Sequence, residues 1–186
     1  MTPHNTVLFL HLASMAGLFV GYGLEWIVSS LLRRAATADQ ARAWLRVYRF
    51  SLPVSGPALL LLILTGGYLA SQMPGGMKAP WISATFVGIV IALGIGFSLI
   101  LPRVKAIRAA LPEGSGALGA PAVASLQDAA LPTLIRVRAM LALGIVYLMT
   151  LKPMTMPGAF IDLGVAILLG VVFALPTWSK SKPAAA

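Results

Sequence analysis

The stretch that decides the fold is Trp81 to Leu101, which reads WISATFVGIVIALGIGFSLIL. No charged residue interrupts it, and about 20 apolar residues are what a helix needs to cross the hydrocarbon core of a bilayer. Pro80 stands directly before it and Pro102 directly after it, positions where proline is tolerated because a helix begins or ends there. The stretch therefore predicts a transmembrane helix.

Four further apolar runs have similar length: Thr6 to Leu32, Pro53 to Ser71, Leu134 to Leu151 and Ala159 to Trp178. Over the whole chain of 186 residues, 59% are hydrophobic and only 10% are charged. A soluble domain carries about 25% charged residues, so too few polar groups remain here to cover a surface that faces water. The sequence predicts one all-α domain over residues 1–186, a polytopic bundle of five transmembrane spans.

The distribution of lysine and arginine predicts the orientation of this bundle. Of the 14 basic residues, only Lys78 and Lys152 fall on the side that five spans share with the N-terminus. Cytoplasmic loops are enriched in Lys and Arg. The sequence therefore predicts a protein of the bacterial inner membrane with its N-terminus outside and its C-terminus in the cytoplasm. The net charge of +9 is thereby assigned to orientation and not to nucleic-acid binding.

The fourth span is the least regular, because Arg136 and Arg138 lie in its first turns. Without it, Lys180 and Lys182 would be left outside, against the charge rule. Two cytoplasmic segments are also predicted. Residues 37–50 have the spacing of an amphipathic helix whose arginines face an anionic inner leaflet, and residues 109–132, rich in glycine and proline, are expected to form a flexible linker.

Three side chains inside the spans are candidates for function, because ionisable groups are costly in lipid. His11 and Asp162 enter from the same side to similar depth, so we expect them to meet in the outer leaflet. Glu25 lies about 21 Å further along the first helix, on nearly the same face. At that depth it is expected to form a structural ion pair with Arg136 or Arg138.

Methionines near His11 raise the question of a metal. Met154 and Met156 precede Asp162 in a short outer connection, and thioether and imidazole groups are the ligands that Cu(I) selects. The sequence thus offers His11, Asp162, Met154 and Met156 as a copper site. The alternative is that these methionines only fill space at the membrane boundary. For haem, His11 with Met149 is the available axial pair.

The opening of the chain carries a family resemblance. Leu8-Phe9-Leu10-His11-Leu12, followed by Gly17, Gly21 and Arg33-Arg34, resembles the first helix of small bacterial predicted integral membrane proteins of unknown function. These are related in pattern to the copper resistance D (CopD) family and more distantly to HemJ-type protoporphyrinogen oxidases. The resemblance continues through Thr65-Gly66-Gly67-Tyr68 and Pro80-Trp81. It implies a small helical membrane protein associated with copper or haem.

Three functions follow from these features. The leading one is binding or transport of a small ligand or metal at an outer-leaflet site; the alternative is an accessory structural subunit of a larger membrane complex, and the third is a haem-binding membrane protein. No cysteine and no catalytic motif is present, so an enzyme is not expected. Gly17 and Gly21 are spaced for helix packing, either within the chain or in a homodimer.

The orientation can be tested by labelling with an impermeant thiol reagent, since the chain has no native cysteine. Ser115→Cys should be protected in intact cells and should react once the membrane is opened. A cysteine at position 77 should react in intact cells. Rapid labelling at position 115 in intact cells would contradict the predicted orientation.

Overall fold

The computed structural model describes residues 2–73 and 75–178, and it is a bundle of α-helices. Lys180 and Lys182, which the orientation argument used, lie outside these residues. The helices are α1 (Pro3–Leu32), α2 (Ala38–Tyr48), α3 (Ser51–Ser71), α4 (Pro80–Gly94), α5 (Leu101–Ala110), α6 (Ala120–Gln127), α7 (Ala130–Leu151) and α8 (Met156–Trp178). Between α4 and α5, residues Ile95–Ile100 continue the helix as a π-helical segment. The described residues contain no β-strand.

The prediction of five transmembrane spans is confirmed. Five helical stretches are long and apolar enough to cross a membrane: Pro3–Leu32, Ala38–Ser71, Pro80–Ala110, Ala120–Leu151 and Met156–Trp178. Their bounds follow local chemistry. Thr2 caps α1, with its side chain accepting from the Asn5 amide, and prolines occupy the first turns of α1 and α4. α7 ends at Lys152, whose φ of 50° is left-handed.

The two segments at the arginine-rich end of the bundle are more closely integrated than the sequence suggests. α2 buries Ala38, Ala41 and Leu45, and its apolar face packs in a core cluster with α1 and α5 instead of resting only on lipid. The region predicted as a linker, 109–132, contains α6, which buries Ala122 and Leu126. Gly119 and Pro121, taken as helix breakers, stand where this helix begins.

The spans form two groups. α1 packs mainly along α3, and Gly17 and Gly21 face Ala58 and Ser55 of that helix, so these glycines serve packing within the chain. α7 packs mainly along α8, and α4 contacts both. α1 and α7 join the pair α1–α3 to the trio α4–α7–α8. Among the described residues α3 and α4 make few contacts with each other, which leaves a seam between the two groups.

The backbones of α7 and α8 lie close together at Gly170, and a single methyl group tests this contact. A Cβ atom built at Gly170 would lie 2.4 Å from Cα of Val137, which is backbone and cannot move aside, whereas one at Gly164 on the same helix meets nothing within 4 Å. We expect Gly170→Ala to destabilise the protein by about 1–3 kcal/mol, the usual cost of overpacking. Thermal unfolding in detergent measures this cost. Gly164→Ala is the matched control, and equal unfolding midpoints for the two variants would contradict the packing described here.

Candidate functional site

His11 is buried in the bundle and is held by α3. Its Nδ1 atom lies 2.9 Å from Oγ1 of Thr65, and the Thr65 hydroxyl donates to the carbonyl of Leu61 at 2.5 Å. Because that hydroxyl proton is already used, the Thr65 oxygen is left to accept, so His11 Nδ1 carries the ring proton. In the neutral ring, Nε2 then keeps its lone pair. Gly66 makes room for this arrangement, since a Cβ atom there would lie 3.1 Å from His11 Cε1.

Two adjoining cavities lie beside His11, with volumes of about 400 Å³ and about 60 Å³. His11, Met15 and Met149 line both of them. The larger one extends through the seam between α3 and α4 toward the short-loop end of the bundle, where Met73, Trp81 and Lys152 border it. Most of the remaining lining is apolar, and it includes Leu12 and Phe86, whose side chains are also exposed on the surface that faces lipid.

Thr85 is the one residue of this lining with an unused hydroxyl. Its side chain is buried, and its Oγ1 has no hydrogen-bond partner among the described residues. At the rim, the ammonium group of Lys152 lies 5.8 Å from the centroid of the Trp81 ring, so this cation is held against an aromatic face. The cavity therefore combines apolar walls with a few polar groups, as small-ligand sites do.

Asp162, Met154 and Met156 do not line either cavity beside His11. Asp162 lies on α8, which packs against α7 and α4, and its carbonyl oxygen faces Gly144 of α7. Met154 is 82% exposed and Met156 is exposed as well. Sequence depth placed these residues at the level of His11, but their angular position around the bundle is different. Within the described residues, no three histidine, aspartate or glutamate side chains are grouped to hold a metal ion.

The sequence could have indicated Met15 and Met149 as neighbours of His11, but it could not have indicated Thr65. Met15 follows His11 by four residues, so the two share one face of α1. Met149 was considered only as an axial ligand to haem, and it lines the same cavities as His11. Thr65 belongs to the stretch Thr65-Gly66-Gly67-Tyr68 that carries the resemblance, but nothing in that stretch indicates a bond to His11, because a threonine in a transmembrane helix usually bonds only to its own backbone.

A second polar cluster joins α1 to α7. The carboxylate of Glu25 forms a salt bridge with Arg138, and both side chains are buried. The Ser51 hydroxyl donates to Glu25 Oε1 at 3.1 Å, and the Arg138 guanidinium lies 4.4 Å from the centroid of the Tyr22 ring. Of the two arginines that the sequence offered as partners, Arg138 is the one in contact with Glu25.

The π-helical segment after α4 gives the guanidinium of Arg138 its space. A Cβ atom at Gly96 would lie 2.7 Å from Arg138 Nη1, so a larger residue at this position would displace the arginine. π-helical turns inside α-helices are frequent at functional sites because they alter which side chains face the interior. Here the altered turn brings the smallest residue against a buried charge.

Arg136 is held separately. Its guanidinium lies 5.3 Å from the centroid of the Trp26 ring, which is a cation–π contact between α7 and α1. It is buried, and its Nε and Nη1 atoms have no hydrogen-bond partner among the described residues. Arg136 lies toward the arginine-rich end of the bundle, where a long side chain can reach the interface between membrane and water.

A third cavity, of about 130 Å³, lies beside Glu25 and Arg138. It shares Leu18, Tyr22, Leu59 and Ala92 with the small cavity beside His11, so the three cavities follow one another along α1. The shared section is lined by apolar side chains and one tyrosine. A proton or ion relay from His11 to Glu25 would need polar groups or water there, and the described lining supplies only the Tyr22 hydroxyl.

Residues 5–153 match the model of the family described as "Predicted integral membrane protein (DUF2269)". The chain belongs to this family. The matched segment covers α1 to α7 and contains both His11 and the Glu25–Arg138 pair, and it ends before Met154 and Asp162. No curated protein and no solved structure matches the chain.

The Glu25–Arg138 pair can be tested with a double-mutant cycle. Removing one partner of a buried ion pair costs about 3–5 kcal/mol, because the other charge is left uncompensated. We therefore expect Glu25→Gln and Arg138→Met each to lower the free energy of unfolding by that order. The double variant should cost clearly less than the sum of the two single variants.

Arg136→Met provides the control for this cycle. Because Arg136 contacts Trp26 and not Glu25, its effect should add to that of Glu25→Gln within about 0.5 kcal/mol. Unfolding would be followed in detergent by circular dichroism. Strict additivity of Glu25→Gln with Arg138→Met would exclude direct pairing.

Proposed function

We propose that this protein binds Cu(I) in the cavity beside His11, with His11, Met15 and Met149 as ligands. The observation that carries this proposal is that His11, Met15 and Met149, each with a soft donor atom, line the same cavities. Thioether sulfur and imidazole nitrogen are soft ligands and select Cu(I). Oxygen-binding ions such as Mg²⁺ and Ca²⁺ are not matched, because no carboxylate is among the described lining residues of these two cavities.

The hydrogen bond from His11 to Thr65 supports the same proposal. Histidines that bind metals usually donate their second ring N–H to a protein oxygen, which fixes the tautomer and the orientation of the ring. Thr65 accepts from Nδ1 in this way, and Nε2 is left with its lone pair. His11 and Met15 lie one turn apart on α1, so a single rigid helix would present two of the three ligands.

The location of the cavity indicates how an ion would reach it. Met73 lies at its rim, at the short-loop end, and adds a third thioether between that end and His11. By the distribution of lysine and arginine, we infer that this end faces the outside of a bacterial inner membrane. The site would then take its ligand from the outer side, and the arginine-rich end would face the cytoplasm.

The size of the larger cavity favours a second candidate function. About 400 Å³ is far more than one metal ion fills, and most of its walls are apolar. A lipid-soluble molecule with a polar head would use this volume, with Thr85 and Lys152 as hydrogen-bond donors to the head. Such a molecule could enter through the seam between α3 and α4.

Two further readings of the sequence lead to distinct outcomes in the same preparation. A haem bound by His11 and Met149 would give an intense visible absorption band in the purified protein. An accessory subunit would copurify with other membrane proteins and would bind neither copper nor haem. Metal content, visible spectrum and native mass of the purified protein therefore separate all of these functions.

The copper proposal is tested by anaerobic titration of the purified protein with Cu(I) against a chromogenic Cu(I) chelator. We expect one Cu(I) per chain. His11→Ala should abolish this binding, and Met15→Leu and Met149→Leu should weaken it, since leucine fills nearly the same volume without a donor atom. Thr65→Val should weaken binding about 10-fold to 100-fold, the usual cost of losing the hydrogen-bond partner of a histidine ligand.

Met154→Leu and Met156→Leu are the matched controls, because these side chains are exposed and line neither cavity. Both variants should bind Cu(I) as the unaltered protein does. If they lose copper while Met15→Leu and Met149→Leu keep it, the site lies in the outer connection and the proposed ligand set is wrong. Absence of Cu(I) binding, together with a retained organic molecule in the native mass, would favour the second candidate.

A further inference from the structure

A groove at the arginine-rich end of the bundle is separate from the cavities described above. It has a volume of about 530 Å³ and lies between α2, the end of α5 and the loop that follows α5. Four arginines line it, namely Arg42, Arg46, Arg49 and Arg108, against two carboxylates, Asp39 and Glu113. We call this the arginine groove. Its net charge is positive.

The walls of the arginine groove are fixed by hydrogen bonds. Arg42 forms a salt bridge with Asp39 at 2.7 Å, and its Nη2 donates to the carbonyls of Pro112 and Gly114. The Ala38 amide donates to the carbonyl of Gly116 at 3.1 Å, next to an isolated bridge between Thr37 and Ala117. These bonds tie the loop after α5 to the start of α2, so the groove is a built feature and not a gap beside a free loop.

The other three arginines of the groove have no polar partner among residues 2–73 and 75–178. Arg46, Arg49 and Arg108 make no hydrogen bond or salt bridge with the residues that the structure describes, and all three are exposed. Arg42 is neutralised by Asp39, which leaves three guanidinium groups against the single carboxylate of Glu113. One guanidinium group can donate two charge-assisted hydrogen bonds to two oxygens of a phosphate group.

The position of the groove indicates where its phosphate comes from. Arg49 is followed directly by Phe50, and Leu52 comes two residues later. Both side chains are 61% exposed and stand at the start of the transmembrane part of this chain. An acyl chain lying along these two side chains would be in lipid, while its headgroup would reach Arg46, Arg49 and Arg108. We propose that the arginine groove binds the phosphate headgroup of an anionic phospholipid.

Native mass spectrometry of the full chain in detergent tests this proposal with phosphatidylglycerol as the probe. At 0.15 M salt, charges more than about 8 Å apart are largely screened, so only arginines near the headgroup should matter. We expect one phosphatidylglycerol retained per chain, and no retention of phosphatidylcholine. Arg46→Gln with Arg108→Gln should weaken retention about 25-fold, from about five-fold for each charge lost.

The matched control changes the same net charge at the same end. Arg34→Gln removes one exposed basic side chain that does not line the groove, and it should change retention less than about two-fold, against about five-fold for Arg46→Gln alone. Equal losses in Arg34→Gln and Arg46→Gln would overturn the proposal, as would equal retention of phosphatidylcholine. Inorganic pyrophosphate supplies the last arm: binding of pyrophosphate through Arg46 and Arg108 without retention of phosphatidylglycerol would make this a site for soluble phosphate and would overturn the lipid assignment.

Discussion

The bundle depends on one buried ion pair, Glu25 with Arg138. Each charge alone would cost several kcal/mol in a medium without water, so the two side chains must meet. This requirement sets α1 beside α7, and with it the pair α1–α3 beside the trio α4–α7–α8. Ser51 and Tyr22 complete the surroundings of the pair, and Gly96 leaves the space that the guanidinium occupies.

The two polar clusters of α1 have different chemical character. At Glu25 the carboxylate pairs with the guanidinium of Arg138 and accepts from the Ser51 hydroxyl, so this cluster joins α1 to α7, although Arg138 Nε has no hydrogen-bond partner among the described residues. At His11 the hydrogen bond to a side chain of the described residues uses Nδ1, and Met15 and Met149 line the cavity beside the ring. A buried ion pair between two helices stabilises their contact, whereas a histidine and two methionines beside a cavity are suited to a ligand.

The sequence predicted what one helix at a time determines. Span lengths, proline positions and the shared face of His11 and Glu25 follow from helical geometry, and a carboxylate in lipid implies a cationic partner. The grouping of Asp162 with His11 did not follow, because depth along two helices does not fix their angular positions in the bundle. α6 was missed for a different reason: Gly119 and Pro121 mark a helix start as readily as a break.

The Glu25–Arg138 ion pair and the seam between α3 and α4 together have a mechanical consequence. The Glu25–Arg138 contact lies toward the arginine-rich end, whereas the larger cavity lies toward the short-loop end, between helices that make few contacts. A rotation of the pair α1–α3 relative to the trio α4–α7–α8 would pivot about this ion pair, because the ion pair holds the two groups of helices together near one end. A few degrees of such rotation would change the distance between α3 and α4 least beside Glu25 and most beside Met73. The same small rotation would therefore widen or narrow the entrance of the His11 cavity.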